Sequence, residues 1–107
     1  MDLYNELQQK IKELEISIKQ LRTSGTNYAQ AERDYKVLLR HEVLKLRDEG
    51  QAIGVIDKIC YGIPEVAEAR FKRDVAKTVY TANLEAINSI KLQMRLLENQ
   101  IQREYGN

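Results

Sequence analysis

A chain of 107 residues fits one domain, and a globule of that size must bury a large share of its apolar side chains to offset the entropy of ordering. Lys and Arg number 17 against 16 Asp and Glu, a formal net charge of +1, so no overall field favours a polyanion or a membrane surface and any electrostatic role is local. Charged residues make up 31% and aromatics 7%, with one proline and no tryptophan, a composition closer to long exposed helices than to a sheet protein.

The amino terminus, Met1-Asp2-Leu3-Tyr4-Asn5-Glu6, lacks the basic start and apolar core of a signal peptide. From Leu7 the apolar residues fall at Leu7, Ile11, Leu14, Ile18 and Leu21. That 4-3-4-3 spacing places one narrow stripe on a helix and predicts a first helix from Leu3 to Arg22. Thr23-Ser24-Gly25-Thr26-Asn27 clusters residues that favour caps and turns, so the helix is expected to stop or bend there. A second helix, carrying Tyr28, Ala31, Tyr35, Leu38, Leu39, Val43 and Leu46, runs from near Asn27 to the glycine stop at Asp48-Glu49-Gly50.

The segment Gln51 to Tyr61 suits a brief helix whose Ile53, Ile56, Ile59 and Cys60 cover one end of the core, and Gly62 is expected to end it with a positive backbone angle. The longest uninterrupted apolar runs are only a few residues, as at Ile53 to Ile56 where Gly54 already intervenes, far short of a membrane span. Pro64 fits the first turn of a helix, and Glu65 and Glu68 complement the positive end of its dipole. From there the stripe Val66, Ala69, Arg73, Ala76, Tyr80, Asn83, Ile87, Ile90, Met94, Leu97 and Ile101 continues without proline or glycine, predicting one helix of roughly 40 residues, about 60 Å long.

Neither earlier helix alone matches that length, but residues 3–49 together do. The expected fold is therefore all-α, a single domain of residues 1–107 shaped as an elongated antiparallel helical hairpin or coiled coil with a small helical head around the connector. Residues 1–49 form a broken arm, 50–63 the short helical connector and 64–107 the long helix. In the simplest register Leu7 faces Ile101, Leu14 faces Met94 and Leu21 faces Ile87. The head is expected to draw on Leu38, Leu39, Val43, Leu46, Ile53, Ile56, Ile59, Val66, Val75 and Val79, whereas Glu32, Glu42 and Arg73 make the seam too polar to be continuously dry. Folding back at Thr23 to Asn27 instead gives a three-helix bundle, a version that would want a dimer.

Catalysis lacks parts: one histidine, one cysteine, no glycine-rich phosphate loop and no paired-cysteine metal spacing. No enzyme activity, cofactor or metal is expected. His41, between Arg40 and Glu42, reads as a solvated helix residue, and the lone Cys60, which has no internal disulfide partner, as a small buried apolar side chain in a reducing cytoplasm. Glu32, Asp34, Asp48 and Glu49 alternate with Arg33, Lys36, Arg40, Lys45 and Arg47 as on a charged helix face. Arg70, Lys72, Arg73 and Lys77 against Asp74 form a local basic cluster suited to phosphates, or to the acidic residues of the second helix. Leu46 to Arg73 has the helix, glycine-containing turn, helix pattern of a helix-turn-helix. The spacing from Ile56 to Gly62 is one residue too long for that motif, however, and Asp57 stands where a small residue permits helix contact.

The stretches Ala31-Glu32-Arg33-Asp34-Tyr35-Lys36, Leu44-Lys45-Leu46-Arg47-Asp48-Glu49-Gly50, Tyr61-Gly62-Ile63-Pro64-Glu65-Val66 and Leu97-Glu98-Asn99-Gln100-Ile101-Gln102-Arg103-Glu104 resemble small helical proteins encoded in the early region of temperate tailed phages of Gram-positive bacteria. The resemblance covers nearly the whole chain. It implies action in the cytoplasm of the infected host, on a replication, recombination, transcription or defence protein, a CRISPR effector included. The leading expectation is accordingly a non-enzymatic protein that binds and modulates, by inhibition, a host or phage protein, with Tyr61 and Ile63 as contacts. The alternative is a nucleic-acid-binding accessory using Arg70, Lys72, Arg73 and Lys77, and a third is a homodimer built on the heptad stem.

Overall fold

A computed structural model describes residues 2–106, and within them the chain is helical: α1 spans Leu3–Asp48, α2 Ile53–Ile59, a 3-10 turn Cys60–Gly62, and α3 Pro64–Tyr105. Stretches of the long helices α1 and α3 come together within each of two compact units, as in a helical hairpin. The packing divides into two compact units, one comprising residues through Ser24 with those from Val79 onward, the other Gly25–Thr78.

Each helix starts and stops where its capping chemistry allows. Asp2 caps α1: its Oδ1 accepts from the Tyr4 amide at 2.9 Å while its carbonyl accepts from the Glu6 amide at 3.1 Å. At the other end Gly50 takes φ of 87°, its amide donating to the Arg47 carbonyl at 3.0 Å, and the Gln51 amide donates to the Leu46 carbonyl at 3.1 Å. This pair of bonds is a Schellman closure, which needs a left-handed residue at Gly50. A Cβ there would meet no atom within 4 Å, so the cost of replacing this glycine is purely in the backbone. Gly50→Ala should lower stability by about 1 to 2 kcal/mol, with Gly50→Asn losing less, as read from urea unfolding midpoints.

The expected break at Thr23 to Asn27 does not occur, and α1 is one helix of 46 residues rather than a broken arm. The hydroxyls that favour a cap are used within the helix instead: Thr23 Oγ1 donates to the Lys19 carbonyl at 3.4 Å and Ser24 Oγ to the Leu21 carbonyl at 3.2 Å. Tertiary packing then holds the segment. Ser24 is buried, and Asn83 Nδ2 donates to Ser24 Oγ at 2.7 Å and to the Gln20 carbonyl at 3.3 Å. Because the helix does not fold back, the three-helix alternative is excluded. Asn83→Ala removes this polar rung and should lower stability by about 1 kcal/mol, measured by denaturant unfolding of the first unit.

In that first unit Ile87 is buried and Ile90, Met94, Leu97 and Ile101 are half-buried, as the stripe on α3 predicts. On α1, Leu7, Ile11, Leu14 and Leu21 follow their stripe, while Ile18 is 37% exposed at its margin and the neighbouring Ser17 is half-buried. A straight helix at 3.6 residues per turn drifts against a strict heptad, and Ile18 sits at the edge of the drifting stripe. Tyr4 and Tyr105 stack tilted with ring centroids 6.0 Å apart, and with the Ser24–Asn83 rung they set the antiparallel register expected from the heptads.

The second unit holds the densest core. Ile56, Cys60, Val66 and Tyr35 are buried, Val66 completely at 0% exposure. Leu38, Leu39, Val43 and Leu46 are half-buried around them, but Ile53 and Ile59, expected in this core, face outward, as do Val75 and Val79 on α3. Ile59 lies off the stripe that Ile56 and Cys60 fill, whereas Ile53 shares that stripe and is exposed at its N-terminal end, as the first residue of α2. Gly62 also departs from expectation. It lies in the 3-10 turn, where the Ile63 amide donates to the Cys60 carbonyl at 3.4 Å, and among the described residues only Gly50 has positive φ. Ile63 is extended, at φ −62° and ψ 126°, as the residue before a proline must be, and Pro64 opens α3.

Candidate partner-binding surface at the connector

The connector displays more apolar surface than its length needs for packing. Ile53 stands exposed as the first residue of α2, Val55 and Ile59 stand exposed on the other side of that helix, and Tyr61 follows on the 3-10 turn at 47% exposure. Ile63 is half-buried beneath the start of α3. Arg70, nearly two turns into α3, places its Cζ 5.6 Å from the centroid of the Tyr61 ring. A cation at that distance from a partly solvated ring contributes about 0.5 to 1 kcal/mol and limits the ring's freedom. Tyr61 is thus a held, exposed aromatic on a connector whose Ile53, Val55 and Ile59 are exposed as well.

The basic residues expected to act together are divided among different tasks. Arg73 turns into the helix pair: its Cζ lies 4.6 Å from the centroid of buried Tyr35, Nη2 is 2.8 Å from Asp74 Oδ1, and Nη1 is 3.9 Å from Glu32 Oε1. The hydrogen bond to Asp74, followed by the charges of Asp74 and Glu32, raises the Arg73 guanidinium further above its ordinary value against the opposing effect of burial. Glu32 also accepts an ion pair from Lys36 Nζ at 3.4 Å. The guanidinium is therefore paired within the chain, with its side chain 21% exposed beside an exposed Asp74. Lys72 lies on the rim of a groove of about 350 Å³ that Asp34 also lines, with Ala31 and Ala69 at its floor, while Arg70 leans on Tyr61 and Lys77 is exposed.

No protein-family model, curated protein or solved structure matches the chain. Its surface must speak through its own geometry. His41 is exposed on α1 and Cys60 is buried, and among the described residues no group of three or more His, Cys, Asp or Glu side chains is placed to hold a metal ion. Among the same residues no helix is long and apolar enough to cross a membrane.

The sequence singled out Tyr61 and Ile63 at this end of the second unit but assigned Ile53 and Ile59 to the core. The overlooked signal is position: Ile59 lies off the stripe that Ile53, Ile56 and Cys60 share, and Ile53 is the first residue of the helix, at the exposed end of that stripe. Arg70 was grouped with the phosphate-type cations, and nothing in its sequence position marks its approach to Tyr61.

Proposed function

We propose that the chain is a non-enzymatic phage protein that acts in the host cytoplasm by binding, and inhibiting, a host or phage protein of replication, recombination, transcription or defence. The observation that carries the reading is the exposure of Val55 and Ile59 on one side of α2 and of Tyr61 just after it, with Arg70 steadying the tyrosine. An apolar patch that includes an aromatic anchor and is rimmed by charged side chains is the usual composition of a protein-binding centre. The adjacent charges of Asp57, Lys58 and Glu65 supply a rim that orients the partner. The committed guanidinium of Arg73 weighs against phosphate binding by the α3 cations as a group.

The test is affinity capture of the tagged protein from phage-infected host lysate, with and without nuclease, followed by mass spectrometry. A stoichiometric protein retained after nuclease and lost with Tyr61→Ala supports the reading and names the target. Capture abolished by nuclease overturns it in favour of nucleic-acid binding, and a steep fall of that binding with salt would then implicate Arg70, Lys72 and Lys77.

A further inference from the structure

The outer face of α3 in the first unit carries a second heptad-spaced stripe. Glu85, Ser89, Leu92, Leu96, Asn99 and Arg103 follow one another at intervals of 4, 3, 4, 3 and 4 residues. At 100° per residue they fall within roughly 80° of arc, on the side of the helix away from Ile87, Ile90, Met94, Leu97 and Ile101. All six are exposed, Leu92 at 52% and Leu96 at 58%. A single-stripe helix packed against α1 has no use for this pattern, and two leucines one turn apart in open solvent leave apolar surface uncovered.

The stripe is its own complement when reversed. Laid antiparallel on a second copy with the dyad at the level of Met94, Leu92 of one chain meets Leu96 of the other, Ser89 meets Asn99, and Glu85 meets Arg103. Each match occurs twice. A parallel arrangement would instead set Glu85 against Glu85 and Arg103 against Arg103. From this symmetry of charge, hydrogen-bonding capacity and apolar position, we infer that this face of α3 binds a second copy of the chain antiparallel, joining two hairpins into a four-helix contact. An open hollow lined by Leu96, Asn99, Gln102, Arg103 and Gly106 lies along the C-terminal end of the same face and admits the partner helix where its Glu85 arrives.

The contact is modest in extent, with one helix face per copy, and Arg95 flanks the dyad opposite its own counterpart, a like-charge pair that limits affinity. The dimer is accordingly concentration-dependent. It is independent of the connector surface, so Tyr61→Ala leaves it unchanged.

Sedimentation velocity of the full chain over a series from micromolar to millimolar tests the inference, with circular dichroism confirming helicity for every variant. The wild type should shift from monomer toward dimer as concentration rises. Glu85→Arg, which opposes Arg103 across the dyad, should weaken association about tenfold, and Arg103→Glu should do the same. The double variant Glu85→Arg with Arg103→Glu should restore association to within about twofold of the wild type. Leu92→Gln with Leu96→Gln should leave the chain monomeric. A wild type that stays monomeric throughout, or a charge swap that fails to recover association lost in helical single variants, overturns the inference.

Discussion

Ile56→Ala should cost the second unit about 3 kcal/mol in urea unfolding, whereas Ile53→Ala, three residues away on the same short helix, should change stability by less than about 0.5 kcal/mol. Ile56 is 2% exposed and packs into the core that also buries Cys60 and Val66. Truncation there removes the transfer free energy of three carbons and leaves a space that the helix ends around it cannot close without breaking their caps. Ile53 has no such neighbours to lose. The contrast between the two isoleucines is the sharpest check on where along α2 the core begins, because the two lie on the same side of the helix at i and i+3.

Tyr61→Ala should weaken binding of the captured partner by about thirtyfold while leaving helicity unchanged, an effect to be measured by titration of the purified partner at fixed salt. The ring offers a large apolar face already held by Arg70, so little side-chain entropy remains to be lost on docking. Tyr61→Phe keeps the face and the cation contact and should bind within a few-fold of the wild type, roughly as expected for loss of one rim hydrogen bond. Arg70→Ala releases the ring without removing it and should fall between the two. Binding that ignores all three changes would exclude the connector as the contact surface.

Much of the fold is legible in the sequence because the dominant signal is periodic. Every member of the stripe from Val66 to Ile101 turns inward on α3, and the Pro64 start and Gly50 stop fall where their backbone constraints require. The errors share a cause. Thr23 to Asn27 reads as a turn when judged by local preference, yet a serine hydroxyl can return to its own helix and an asparagine 59 positions away can bond to it. Local preference carries no information about Asn83, and the tertiary contact decides. Ile53 and Ile59 fail for the opposite reason: hydrophobicity was taken as burial, although Ile59 lies off the inward stripe and Ile53 is the first residue of the short helix. The candidate surface was half legible, since an aromatic residue at a turn is visible in sequence while the cation beside it, nine residues further on, is brought there only by the path of the chain.

Cys60, buried at 2% exposure among Ile56 and Val66, is the one thiol in the chain, and so it serves as a clock for the opening of the second unit. A thiol reagent can reach its Sγ only during excursions in which α2 lifts away, so the labelling rate under native conditions reports how often that happens. If the rate falls in proportion to global stability, the connector opens only when the whole hairpin does. A faster rate would mean that the end displaying Tyr61 loosens while residues 2–24 and 79–106 stay paired, making the surface proposed to dock a partner also the first part of the protein to come apart.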